Sequence, residues 1–356
     1  MTTKSQFHRF HVLDAFLIFI PVSVIFYYLN INPLISFIAT AAAIVGISHV
    51  IIEMTGIIAQ RVSTTISALI NATLGNAIEF FIAIFALRQG LVDMVKASMV
   101  GSIIINVLLL IGLSMFFGGM KYKEQRFNKD SAGVSSTMLI IVVVGLVLPS
   151  LYNMVQEKPA HSMSLAVSIV LGIVYLLSLV YTLVTHKHLF VVEREAPSPP
   201  TYHPWSLRTA IILLFVTIGV ASFESNVLVD SITPLISDMG LTERFAGLVL
   251  IAFLTNITEH ISAVSFARKN NMTMSLEIGM SSALQIALFV VPVLVLLSTV
   301  LTGNALDLVF GPFSLVALVM TAMIANYISA DGICHWLEGV QLIAVYLLIA
   351  ITFYFV

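Results

Sequence analysis

Asn71–Arg88 reads NATLGNAIEFFIAIFALR, and 180 positions later Ile251–Arg268 reads IAFLTNITEHISAVSFAR. In this register Asn76 meets Asn256, Glu79 meets Glu259 and Arg88 meets Arg268. Both stretches are apolar and long enough for a helix, and each carries one carboxylate near its middle. The next run repeats as well. GSIIINVLLLIG from Gly101 corresponds to MSSALQIALFVV from Met280, pairing Ser102 with Ser281 and Asn106 with Gln285. The chain therefore reads as two related halves, each built around an acidic span.

The surrounding sequence sets the solvent. Of 356 residues, 59% are hydrophobic and only 10% are charged, and the mean hydropathy is +1.05. A water-soluble chain carries roughly 25% charged residues. The net charge of −2 offers no basic surface for nucleic acid. A lone cysteine, Cys334, excludes a disulfide framework and a multi-cysteine metal site. Apolar runs near 10–30, 34–53, 62–88, 95–118, 132–151, 162–185, 207–226, 243–267, 273–300, 311–330 and 335–356 predict about eleven transmembrane helices. The short alternating segments of a membrane barrel are absent. Lys4, His8 and Arg9 resemble the start of a secretion signal. The run behind them is too long and lacks an Ala-x-Ala site, so it reads as a retained span.

Lysine and arginine give the orientation. With the N-terminus inside, inner segments hold twelve of them, among them Arg61, Lys121, Lys123, Arg126, Lys129, Arg268 and Lys269, and outer segments hold four: Arg88, Lys96, Lys158 and Arg244. A cytoplasmic N-terminus follows. The proline-rich stretch His186–Trp205 (HKHLFVVEREAPSPPTYHPW) separates six spans from five. It reads as a solvated cytoplasmic connector or as a regulatory element. The expected fold is an all-α polytopic protein of the cell membrane. It has a leading helix in 1–32, a five-helix repeat in 33–185, the linker in 186–206 and a second five-helix repeat in 207–356.

Five spans separate the two copies, so the second enters the membrane from the opposite side. Each glutamate stands nine residues before a basic residue, about 13 Å of helix. With a hydrocarbon core about 30 Å thick, both glutamates fall near the midplane. Inverted repeats that deliver functional groups to mid-membrane mark secondary transporters. A charge there costs at least ~2.5–3.5 kcal/mol on insertion scales. The bland reading is that each glutamate stays protonated and hydrogen-bonds a neighbouring helix.

The neighbours of the glutamates point to a cation. Asn76 and Asn256 each lie three residues before the glutamate, on its helix face. Gly75 can break the first helix and turn carbonyls inward. Ser102 with Asn106, and Ser281 with Gln285, are each four apart. The set contains oxygen ligands and no cysteine, which suits hard cations, Ca2+ above all, with Mn2+ also served. Desolvation and a like-charged neighbour both favour the protonated form of a carboxyl group. Two glutamates therefore stay neutral either with one divalent cation or with two protons, and the empty ionised pair is penalised. Obligatory exchange of cation against protons follows, with the two-for-one ratio inferred from charge alone.

GNAIE at 75–79, preceded by Asn71-Ala72-Thr73, resembles the first signature of the cation/proton exchanger branch of the cation/calcium antiporter superfamily. TNITEH at 255–260 resembles its second, usually GNAAEH, and ESNVLVDS from Glu224 is similar to the segment before it. Gly-Ser at 101–102 and Ser-Ala-Leu-Gln at 282–285 also fit. The resemblance spans nearly the whole chain and implies Ca2+/H+ exchange, with Ca2+ as the transported substrate and no cofactor. It implies a cation held between Glu79 and Glu259, by carbonyls around Gly75-Asn76, and by Asn256, Ser102, Asn106, Ser282 and Gln285. This chain departs from the pattern at Thr255, whose hydroxyl could add an oxygen and alter cation preference, and at Ile257. The linker has only Glu193 and Glu195 where the family often has an acidic helix, which argues against a calcium sensor there.

Glu53 and Glu224 each end a span that precedes a signature span. They read as a gate or proton relay, or as carboxylates reaching interfacial water. His49, four residues before Glu53, is half of a metal pair or of a helical hydrogen bond. His260 suits proton transfer or simple packing. Asp331 and Glu338 read as solvated. Partners are the lipid bilayer, Ca2+ and protons, with no nucleic acid and with room for an oligomer. Exchange of Mn2+, Na+ or K+ for protons is the alternative, and a cation channel a further one. An intramembrane protease would need HExxH or Gly-x-Ser-x-Gly, and neither string occurs.

Overall fold

In the computed structural model, residues 12–186, 189, 205–302 and 305–356 are described. Nearly all of them are helical. The leading helix α1 (Val12–Tyr28) opens with a 3-10 segment, Val12–Ile18. It is followed by α2 (Pro33–Ala59), α3 (Thr64–Leu74), α4 (Ala77–Arg88), α5 (Val92–Gly119), α6 (Lys129–Gln156) and α7 (His161–Thr185). After the linker come α8 (Leu207–Met239), α9 (Glu243–Thr255), α10 (Ile257–Ala267), α11 (Met272–Leu301), α12 (Pro312–Ile328) and α13 (Trp336–Phe355). Among the described residues, seven of these are long and apolar enough to cross a membrane, and α9 with α10 form a bent pair at 56°. Each apolar run of the sequence is occupied by helix. The linker residues Glu193 and Glu195, and Lys4, His8 and Arg9, lie outside the described residues.

Several helices outrun their apolar cores. α2 reaches Ala59 where apolarity predicts an end near 53, and α8 reaches Met239 where it predicts 226. Local chemistry fixes such ends better than hydropathy does. Asn32 accepts the Leu34 amide at 2.9 Å and Pro33 supplies a ready φ, so α2 starts there. Asn128 caps α6 by accepting from Asp130 and Ser131, and left-handed Glu157 ends it. Gly240, at φ +63, closes α8, so its polar last turns Asp230–Met239 stay helical beyond the apolar run.

The side chains are arranged for lipid. In α7 the buried faces carry Ser164 and Ser168, while Ile169, Ile173, Leu176 and Leu177 are exposed. In α6 Ser131, Ser136 and Ser150 are buried, and Ile140, Ile141 and Leu148 face out. Small residues inward and branched apolar ones outward is the packing logic of helices in a bilayer, where burial of leucine gives no advantage over lipid.

Contacts divide the chain into two units, residues 1–82 with 193–235, and residues 83–192 with 236–356. Each draws on both sides of the linker. In the first, α1 packs on α2, and α2 on α3. In the second, α5 is the core: Ile103, Ile104, Ile105, Leu108, Leu110 and Ile111 are all fully buried. It crosses α9 at backbone distance. A Cβ on Gly101 would collide with the Leu248 backbone, and one on Gly247 with the Met94 carbonyl. A two-residue ladder, β1 (Gln125–Arg126) against β2 (Ile333–Cys334), joins two loops of this unit. Asp331 is exposed as expected, yet it accepts the Ile333 amide. Glu338 accepts the His335 amide at 2.8 Å and caps α13.

Candidate functional site

Both signature stretches break their helix at the asparagine. In the first unit α3 ends at Leu74, Gly75 and Asn76 form a turn, and α4 resumes at Ala77. A Cβ at Gly75 would strike the Asn71 carbonyl, so the close turn requires glycine. In the second unit Asn256 (φ −101, ψ 9) separates α9 from α10. Glycine is not used there; Thr255 donates its hydroxyl back to the Ile251 carbonyl at 3.1 Å. In each half the carbonyl of the asparagine accepts an amide four residues on, Phe80 N at 3.2 Å and His260 N at 3.1 Å. Glu79 and Glu259 consequently sit in the first turn of a resumed helix.

A polar cluster closes around the break in the second unit. Asn106 Nδ2 donates to Asn256 Oδ1 at 2.7 Å and lies 3.0 Å from Ser282 Oγ. Asn256 Nδ2 donates to Ser102 Oγ at 3.3 Å, to Thr255 Oγ1 at 3.1 Å and to the Ala252 carbonyl at 2.9 Å. Asn106 and Asn256 are completely buried, and Ser102, Thr255 and Ser282 nearly so. Asn106 Oδ1 is buried with no donor facing it among the described residues. Such an atom costs free energy unless something else, such as a cation, completes it.

Five of the expected ligands are thus brought together: Asn256, Thr255, Ser102, Asn106 and Ser282. Glu259 stands one turn beyond Asn256, partly exposed, and accepts Thr258 Oγ1 at 2.9 Å. Gln285, one turn beyond Ser282, is also partly exposed. The repeat-based pairing of Ser102 with Ser281 is corrected. Ser281 is exposed and bonds the Ile278 carbonyl, whereas Ser282 enters the cluster. Ser282 is also the residue 180 positions after Ser102, the spacing of the two asparagines. In the first unit Asn76 is buried and Glu79 half-buried. Glu224 does not reach interfacial water; it is completely buried, and Ser23 Oγ lies 2.8 Å from both its oxygens. Glu53 lies beside Asp14 and His49 in that unit.

Three features escaped the sequence reading. First, π-helical turns occupy Ile105–Leu110, Ala246–Ile251 and Ile286–Val290, beside or within the cluster. Such widened turns concentrate at functional sites. Second, Glu277 on α11 accepts Ser131 Oγ at 3.1 Å; an acidic residue in an apolar span was the available signal. Third, a cleft of about 710 Å³ is lined by Leu113, Phe253, Ile257, His260 and Ile261, with Lys121, Arg268 and Lys269 at its basic end. His260 donates from Nδ1 to the Asn256 carbonyl at 2.7 Å, and its Nε2 is buried without a partner among the described residues.

Comparison with known proteins agrees with this architecture. A family model described as sodium/calcium exchanger protein matches residues 32–184 and 209–355. The chain is 39% identical to a Ca(2+)/H(+) antiporter of Aphanothece halophytica, over 97% of this chain and 96% of that one. It is 38% identical to one of Synechocystis, over 100% and 99%. The solved structure of native YfkE superposes with a TM-score of 0.82 at 32% identity, covering 97% of this chain and all of the other.

Proposed function

We propose, from the premise that this chain belongs to the sodium/calcium exchanger protein family, that it is a secondary antiporter exchanging Ca2+ for protons across the cell membrane. The observation that carries the reading is the buried oxygen cluster at the α9–α10 break, with the unsatisfied Asn106 Oδ1 inside it. It moves its substrates and transforms neither.

In this reading Glu79 and Glu259 share one cation. Both stand at equivalent places, one turn after a break. Broken helices present carbonyl ends to cations in other transporters. Ca2+ takes six to eight oxygens. Two carboxylates, the side chains of Asn76, Asn256, Thr255, Ser102, Asn106, Ser282 and Gln285, and the main chain at Gly75 provide more than enough, some through water. The loaded site is neutral with Ca2+ and neutral again with two protons. The doubly ionised empty site is the state that crossing between inward- and outward-facing forms avoids, and this couples the two fluxes. The two five-helix halves, 33–185 and 207–356, supply one glutamate each.

The basic residues around the cleft fall in segments that the charge tally places in the cytoplasm, with the N-terminus on that side. The cleft then serves as the cytoplasmic entrance. The unpartnered Nε2 of His260 on its wall suits proton transfer, and buried Glu224 suits a relay or gate.

The test is radioactive Ca2+ uptake by proteoliposomes under an imposed pH gradient. Uptake should follow the gradient in the wild type and vanish in Glu79→Gln and in Glu259→Gln. Undiminished exchange in either variant overturns the site. Competition by Mn2+, Na+ and K+ decides the cation, since the Thr255 hydroxyl adds an oxygen at the break. Flux that persists without a counter-gradient would indicate a channel.

A further inference from the structure

We propose a second divalent-cation site, separate from the exchange site, formed by Asp14, His49 and Glu53 and suited to a transition metal such as Zn2+. All three lie in the first unit. Asp14 belongs to the 3-10 segment that opens α1; His49 and Glu53 lie one turn apart on α2, so they face the same way. One ligand atom from each lies within 4.8 Å of the other two, and His49 Nε2 is 3.6 Å from Asp14 Oδ1. Donors bound to one Zn2+ at about 2.0–2.2 Å stand roughly 3.4 Å apart, so small side-chain rotations complete the set.

The backbone already holds the two helices at the required spacing. Gly46, one turn before His49, is buried. A Cβ there would lie 2.9 Å from Leu17 N and 3.0 Å from the Phe16 carbonyl carbon. The main chain of α1 therefore rests on α2 close to Asp14, and no hinge or loop has to fold to bring the ligands together.

Charge and donor type select the ion. As metal ligands, two carboxylates and one imidazole would together bring −2 among apolar helices, where ionisable side chains are costly and functional. A divalent cation neutralises them, and a monovalent one does not. The imidazole nitrogen separates this set from the oxygen-only cluster at the helix breaks. Nitrogen with carboxylate oxygen suits Zn2+ and its neighbours, whereas Ca2+ prefers oxygen throughout. The side chains of His49 and Asp14 remain 19% and 11% exposed, leaving room for water as a fourth ligand. The bound ion would tie the leading helix to α2, an effect independent of Ca2+/H+ exchange.

The experiment uses the full chain in detergent carrying Glu79→Gln and Glu259→Gln, which removes the exchange carboxylates. Protein stripped with chelator is equilibrated with Zn2+, desalted, and its metal counted. About one Zn2+ per chain should remain, and adding His49→Ala or Asp14→Asn should abolish it. Zn2+ should also raise the unfolding temperature of the parent but not of His49→Ala. No retained Zn2+ in the parent, or equal retention in both added variants, overturns the proposal. If the added variants do not fold, modification of His49 by diethyl pyrocarbonate in the parent decides. Protection by Zn2+ supports the site, and equal modification with and without it refutes it.

Discussion

Asn106 donates its side-chain amide to the side-chain carbonyl of Asn256 at 2.7 Å, joining the core helix α5 to the break between α9 and α10. The bond orients both residues: Asn256 then directs its own amide at Ser102, Thr255 and the Ala252 carbonyl, and Asn106 is left with an unmatched buried oxygen.

Asn106→Ala removes the unmatched buried oxygen and the donor that orients Asn256. A buried hydrogen bond of this kind is worth about 1–1.5 kcal/mol, or roughly five- to tenfold in a rate or affinity. Ca2+/H+ exchange in proteoliposomes should fall by about that factor, with the size-exclusion profile unchanged. Exchange at the wild-type rate would remove Asn106 from the site.

The adjacent serines give a sharper contrast. Ser282→Ala deletes a hydroxyl 3.0 Å from Asn106 and should raise the Ca2+ concentration for half-maximal exchange several-fold. Ser281→Ala, at an exposed position whose hydroxyl bonds its own helix, should leave the same measurement unchanged.

Ser23→Ala leaves Glu224 fully buried without the hydroxyl that bridges both its oxygens. A buried polar group deprived of its partner costs about 1–3 kcal/mol. The unfolding temperature should drop by several degrees, and Glu224→Gln should restore part of the loss by supplying a neutral partner. Equal melting of wild type and Ser23→Ala would contradict the burial of this pair.

Cys334, in the loop before α13, is 2% exposed. Burial, with the charges of Glu338 and Asp331 adding to it, pushes its thiol from 9.0 up to about 12. At about pH 8 only roughly 10⁻⁴ of the thiol is ionised, so maleimide labelling should await unfolding. The folded state favours the protonated thiol. The stability this confers is complete below 9.0 and is lost as pH climbs toward about 12. Cys334→Ser should flatten that alkaline limb of the melting curve.

The sequence exposed the fold through apolarity and a repeated carboxylate, because both are properties of single residues at fixed spacing. Asn76 and Asn256 stand at helix breaks with Glu79 and Glu259 one turn beyond; Gly75 signalled the first break, whereas Thr255 gave no such signal for the second. The slip between Ser281 and Ser282 comes from pairing the following span at 179 positions; the 180-residue spacing of the asparagines leads from Ser102 to Ser282. A π turn adds a residue to a helical turn, so α5 and α11 do not keep one 3.6-residue register through Asn106 and beyond Gln285. For Glu224 a gate, a relay and an interfacial carboxylate all fitted because only its position along α8 was legible; its burial depends on Ser23, 201 residues away in the chain. Asp14 was invisible beside His49 and Glu53 for the same reason, since it reaches them from another helix.

The widened turns at Ile105–Leu110, Ala246–Ile251 and Ile286–Val290 bear on any attempt to redesign ion choice. An extra residue in a turn detaches a main-chain carbonyl from the regular ladder, and no side-chain replacement can delete that oxygen. A single-residue deletion that restores an ordinary turn would alter the main chain beside the cluster, which no exchange of asparagine or serine does.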